Sequence, residues 1–267
     1  MILEWPASPR MRVPAGLLAL SLLGPPCAGA VELLPELSAR LRAAHYQPTE
    51  PDFHWTTWIG AGAGLVRAGG VTFYGNADVE SVIGNVRRAF DATQANYHLE
   101  LGLRATAGRF ELGPVFHHVS RHAVDRPKVQ AVDWNLLGLR LTGAFRPSQP
   151  VRILASAGRT TEAALVGYRW ELQAGLDAEL TGGAARAYAT GQARRVTVRA
   201  SPALPRGDFL DFRLEAGARW RREARVLEGF VALERRNDVL LEQPGAKDRA
   251  LVGFRILYAS PWLFPLP

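Results

Sequence analysis

The feature that most constrains this chain is a period-two alternation of apolar and polar residues, sustained over segments too long for the strands of a soluble sheet. Tyr97, Leu99, Leu101, Leu103 and Ala105 fall on one face of such a segment, and His98, Glu100, Gly102 and Arg104 on the other. The pattern returns between Val166 and Glu179, where Tyr168, Trp170, Leu172, Ala174, Leu176 and Ala178 oppose Arg169, Glu171, Gln173, Asp177 and Glu179, and again between Leu210 and Arg221. Strands of soluble domains are usually about 5–6 residues long. A strand tilted by about 45° across a bilayer needs about 9–11, and a membrane barrel turns apolar side chains outward and polar ones into its lumen. Length and alternation together imply an all-β fold: an antiparallel transmembrane β-barrel of the bacterial outer-membrane class.

The connections support that reading and orient it. Short links near 107–108, 146–149, 182–183 and 222–224 alternate with longer polar ones near 76–94, 121–129, 201–208 and 237–247, as short periplasmic turns alternate with longer external loops; 160–162 is a short link on the external side. Nine segments follow Thr93. The glycine-rich stretch from Phe53 to Gly75 brings the count to about 10 if it is one long strand, and to 12 if it folds into more. Ahead of it, Leu33, Leu34, Leu37, Leu41 and Ala44 recur near helical spacing, so a short periplasmic amphipathic helix and linker are expected over 31–52, the barrel over 53–260 and a tail over 261–267. Tyr97, Trp134, Trp220 and Tyr258 stand at segment ends, where interfacial girdles sit. Gly253, Ile256 and Tyr258 resemble the C-terminal signal read by the outer-membrane assembly machinery, an expected partner.

At the other end, Arg10 and Arg12 precede an apolar run from Val13 to Leu23, and Ala28-Gly29-Ala30 follows, the pattern of a signal peptide over 1–30 cleaved after Ala30; Met11 is an alternative initiator. Cys27, the only cysteine, lies in that segment, which excludes a disulfide framework, a thiolate metal cluster and a cysteine nucleophile from the mature chain. The net charge of +7 is dispersed and interleaved with acids rather than gathered in a stripe, which argues against nucleic acid and for outer-membrane lipid and anionic lipopolysaccharide as partners.

The densest chemical cluster is His117-His118-Val119-Ser120-Arg121-His122, near the external end of the segment that rises from Arg109. His118 and Ser120 share parity with Leu112, Pro114 and Phe116, and Asp133 shares it with Leu137, Leu139 and Leu141, so all three belong on the outer wall. A serine becomes a nucleophile when a base takes its proton, and a carboxylate can orient that base. Ser120, His118 and Asp133 are the candidate catalytic set, with Arg121, His122, Asn135, Arg87 and Arg88 as candidate substrate contacts. His118-Val119-Ser120 and the nearby acid resemble the outer-membrane lipid A 3-O-deacylases, a resemblance that implies a cofactor-free lipid A or lipid ester hydrolase with its site facing the outer leaflet. That family has eight strands, typically a Glu as its acid, and an Asn where this chain has Arg121. A polar rim without chemistry is the alternative. A metal held by His117, His122 and Asp125 is disfavoured by the opposite parity of the two histidines. On the lumen side, Glu100, Arg104, Arg140, Arg169, Glu171, Asp177, Arg213, Glu215, Arg219 and Arg255 form either a salt-bridged plug or the lining of a narrow channel, and a purely structural barrel stands as the third class of function.

Overall fold

A computed structural model describes residues 30–124, 132–145, 151–199, 207–237 and 245–259. Twelve antiparallel strands close into one barrel in which each pairs with its neighbours in sequence and β1 pairs with β12. They are β1 (Glu32–Glu50), β2 (Phe53–Ala68), β3 (Val71–Gly84), β4 (Asp91–Ala107), β5 (Phe110–Ala123), β6 (Val132–Phe145), β7 (Val151–Ala164), β8 (Tyr168–Glu179), β9 (Ala185–Val198), β10 (Phe209–Arg222), β11 (Arg225–Asn237) and β12 (Ala246–Tyr258). The expected signal peptide and C-terminal tail lie outside the described residues, except for Ala30 itself.

The higher of the two expected strand numbers is therefore the observed one. Phe53 to Gly75 spans β2, a Gly69-Gly70 turn and the start of β3. Both glycines have positive φ, 54° and 81°, which a two-residue hairpin requires and a side chain would resist. The helix expected over 31–52 is corrected: this stretch is β1, with Arg40, Arg42, Ala44 and Tyr46 turned inward and buried. The reason is closure. Backbone groups in hydrocarbon must pair, and β1 is the strand that pairs both β12 (Ala39↔Tyr258 to Gln47↔Ala250) and β2, so a local helical spacing yields to the sheet.

The barrel is packed inside out. Leu101, Leu139, Leu172, Leu214, Val231 and Phe254 are exposed on the outer wall, while Glu80, Asp177, Glu215, Arg219 and Arg255 are buried in the lumen. Of the expected girdle residues, Trp220 and Tyr258 are exposed near the ends of β10 and β12, and Tyr97 is exposed six residues inside β4. Trp134 does not join them. Its even parity on β6 points it inward, where it is 1% exposed and packs edge-on against Tyr168 at 5.0 Å. Arg169 leaves the expected lumen set as well: a register shift between Tyr168 and Trp170 makes it the unpaired, exposed residue of a bulge.

Introducing Val231→Arg at the middle of β11 should cost about 2–4 kcal/mol of folding free energy, the usual penalty for a cation at the mid-plane of a barrel's lipid face. Urea-dependent refolding into bilayers measures it.

Candidate functional site at the outer rim

The register of β4, β5, β6 and β7 assembles the site. Ser120 pairs with Tyr97 of β4 and Asp133 of β6, and one step closer to the membrane centre His118 pairs with Leu99 and Asn135. Asn135 in turn pairs with Glu162 of β7. One step further in, Phe116 lies between Leu101 and Leu137, and all three are exposed on the lipid-facing wall. The polar cluster thus sits directly above an apolar belt, on the same face.

Its hydrogen bonds are specific. His118 Nδ1 lies 2.7 Å from Asn135 Oδ1. Asn135 Nδ2 donates to Glu162 Oε2 at 3.3 Å. Ser120 Oγ lies 2.7 Å from Nε2 of His122, whose ring meets Tyr97 edge-on at 5.4 Å. The candidate pair His118 and Ser120 therefore share the outer wall as expected, as does Asp133 beside the serine. The group that meets His118, however, is Asn135, which parity alone had placed among substrate contacts. Asn135 shares the parity of Asp133 and lies one step deeper, so its proximity to His118 was readable from the register; Glu162 was not.

The remaining candidates separate. Arg121 is corrected: alternation turns it away from Ser120 into the lumen, where it is 1% exposed with its guanidinium 5.5 Å from the Trp134 ring centre, so it cannot touch a ligand on the outer wall. Arg87 and Arg88 lie in the external β3–β4 connection and are engaged with Asp91, through the Arg87 backbone N–H at 3.2 Å and the Arg88 side chain at 3.9 Å. Asp91 is six residues along β4 from Tyr97, roughly 20 Å at 3.3–3.4 Å per residue, so these arginines stand well outside the serine. His117 faces the lumen, with Nε2 3.4 Å from His98 Nδ1, on the opposite side of the wall from His122. Asp125 lies outside the described residues.

The lumen holds a dense ion-pair network. Arg219 donates to Asp177 (2.7 Å), Glu179 (3.0 Å) and Glu228 (2.6 Å), and lies 4.3 Å from the Tyr188 ring centre. Arg255 bridges Glu215 and Glu228 at 2.6 and 3.0 Å, and Arg213 bridges Glu215 and Glu234 at 3.0 Å. Across the barrel Arg236 meets Glu80 at 2.8 Å, and Arg140 pairs with Glu100. On the β1–β7 side, near the periplasmic strand ends, a cavity of about 540 Å³ is left, with Glu36, Arg40, Tyr74, Glu100 and Arg140 among its walls.

No protein-family model and no curated protein sequence matches the chain. Solved structures do. The outer membrane phospholipase of Salmonella typhi, a dimer with bound calcium, aligns at 12% identity over 83% of this chain and 90% of that one, with a TM-score of 0.51. Outer membrane phospholipase A from Escherichia coli aligns at 12% identity over 85% of this chain and 98% of that one, TM-score 0.51. LpxR from Salmonella typhimurium aligns at 9% identity over 83% and 99%, TM-score 0.49. The fold is that of a bacterial outer-membrane barrel. At these identities the likeness extends to the fold alone.

The lumen network generates a measurable expectation. Arg219→Ala leaves Asp177, Glu179 and Glu228 short of their shared cation in a buried setting, and removing one partner of a buried pair costs about 3–5 kcal/mol. The variant should unfold at lower temperature in a heat-modifiability gel, whereas Arg235→Ala, on the exposed Arg235–Asp248 pair, should not.

Proposed function

We propose that the chain is a lipid ester hydrolase of the outer membrane whose reaction takes place on the outer wall of β5 and β6. The observation that carries this reading is the side-by-side placement of Ser120, His118 and Asn135 on the lipid-facing surface, beside exposed Leu99 and immediately above exposed Leu101, Phe116 and Leu137. An acyl lipid aligned with that belt brings its ester bonds, which lie where hydrocarbon meets headgroup, to the level of the serine. Two barrels of the same fold are outer-membrane phospholipases by name. Phospholipid and lipid A, both acyl esters, are the substrate classes proposed.

In this mechanism Ser120 Oγ attacks the ester carbonyl carbon while His118 Nε2 takes the hydroxyl proton. The tetrahedral intermediate collapses by breaking the bond to the alcohol oxygen, which leaves with the proton returned by His118. Water, deprotonated by the same imidazole, then releases the fatty acid from the serine. Asn135 fills the role first assigned to Asp133, holding the imidazole by Nδ1. His122 holds the resting serine from the other side at 2.7 Å, so in this mechanism the hydroxyl must turn from His122 toward His118, by rotation about the serine χ1, before it reacts. The tightly paired lumen favours this reading over a channel.

Purified protein in mixed micelles should release fatty acid from phospholipid or lipid A, and Ser120→Ala should abolish release. His118→Ala should be as severe, Asn135→Ala should lower kcat, and Asp133→Ala should leave it nearly unchanged. Full activity in Ser120→Ala excludes the mechanism; loss in His122→Ala with retention in His118→Ala would move the base to His122.

A further inference from the structure

We infer that Glu162 is a positioning residue for this site: through Asn135 it selects the tautomer of His118 that can accept the serine proton. The inference rests on the hydrolase reading for its kinetic consequence, but its structural premise is independent of it.

The argument runs along three adjacent strands. A carboxylate only accepts hydrogen bonds, so at 3.3 Å from Glu162 Oε2 the group presented by Asn135 must be its NH2. An amide has one carbonyl oxygen, and with the nitrogen turned to Glu162 that oxygen faces His118 Nδ1 at 2.7 Å. A carbonyl oxygen also only accepts, so His118 must carry its proton on Nδ1. The neutral ring then has a bare lone pair at Nε2, the nitrogen a general base needs. Without the carboxylate the Asn135 amide is free to flip, present NH2 to Nδ1, and stabilise the opposite tautomer, whose Nε2 already carries a proton.

The backbone is built to deliver this contact. Along β7 the outward residues are Ile153, Ala155, Ala157 and Arg159, paired with outward Gly143, Leu141, Leu139 and Leu137 of β6. Continued without interruption, that parity turns Glu162 into the lumen. A register shift between Asn135 and Leu136 breaks it: Leu136 pairs with Thr160, Asn135 pairs with Glu162, and Thr161 is the extra residue. The bulge flips Glu162 to the outer wall, beside Asn135, and Thr161 Oγ1 donates to the Asn135 backbone carbonyl at 3.4 Å, tying the bulge to the strand it serves. Bulges commonly re-aim a side chain next to a site. Glu162 is itself exposed, with no buried position that packing alone would need to fill.

Two readouts test the proposal on full-length protein in micelles. The first is the nitrogen spectrum of His118 in 15N-histidine-labelled protein at a pH where the ring is neutral, assigned with His118→Gln. The wild type should show Nδ1 protonated and Nε2 bare; Glu162→Ala should shift the ring toward the Nε2-protonated form, and Glu162→Gln, which can still accept from Asn135 but can also donate to it, should fall between. The second is kinetic. Glu162→Ala should lower kcat by roughly 10- to 100-fold, the cost typical of losing a partner that orients an imidazole, with KM little changed; Glu162→Gln should recover part of it. An unchanged tautomer in Glu162→Ala overturns the proposal whether or not the protein is a hydrolase. A normal tautomer shift with no activity in any form, wild type included, would sink the hydrolase reading and leave the Glu162 relay standing. A rise in KM at constant kcat would recast Glu162 as a substrate contact and overturn the positioning role.

Discussion

Every other feature of this protein depends on one requirement: within hydrocarbon, each backbone N–H and C=O must be paired inside the protein. An open sheet would leave two unpaired edges in the lipid. Closing the ring through β1 and β12 removes both, and an even number of strands returns the last one to the side where the first began. Closure explains why the first fifty residues include a strand despite a helix-like spacing of leucines, and why that strand carries inward arginines in step with its neighbours.

Closure also creates an interior, and its filling is polar because the outer wall has taken the apolar residues. Buried charges are costly unless paired, and here they are paired several times over: Arg219 serves three carboxylates, and Glu215 and Glu228 each serve two arginines. The network cross-links strands that are distant in sequence, as Arg236 does in meeting Glu80. On the β1–β7 side a cavity is left at the end of the barrel away from Ser120. The lumen network and the rim cluster occupy opposite faces of the wall, and the two faces of β5 share no side chains: His117 belongs to the lumen and His118 to the rim.

The rim site is economical in its use of this geometry. On one strand, alternate residues place His118, Ser120 and His122 in a row facing lipid, and the neighbouring strands supply Tyr97 and Asn135 at fixed register. A sheet holds such residues to within the tolerance of its hydrogen-bond ladder, which is why a pair such as His118 and Asn135 can meet at 2.7 Å without help from a loop. Among the described pairings of β4 to β7 the one register shift, at Thr161, is what adds Glu162.

Several properties were determined by the sequence alone: the barrel class, the apolar outer wall, and the shared face of His118, Ser120, Asp133 and Asn135. All follow from side-chain parity, which is a local property of a strand and is legible wherever the strand is regular. Three features were decided only by the tertiary structure. β1 became a strand through pairing with residues more than 200 positions away; Arg169 left the lumen at a bulge; and Glu162 reached the rim at another. The physical reason is common to the last two. A bulge adds one residue to one strand, and one residue is half a period, so it inverts the facing of everything beyond it while leaving no mark in the composition of the segment.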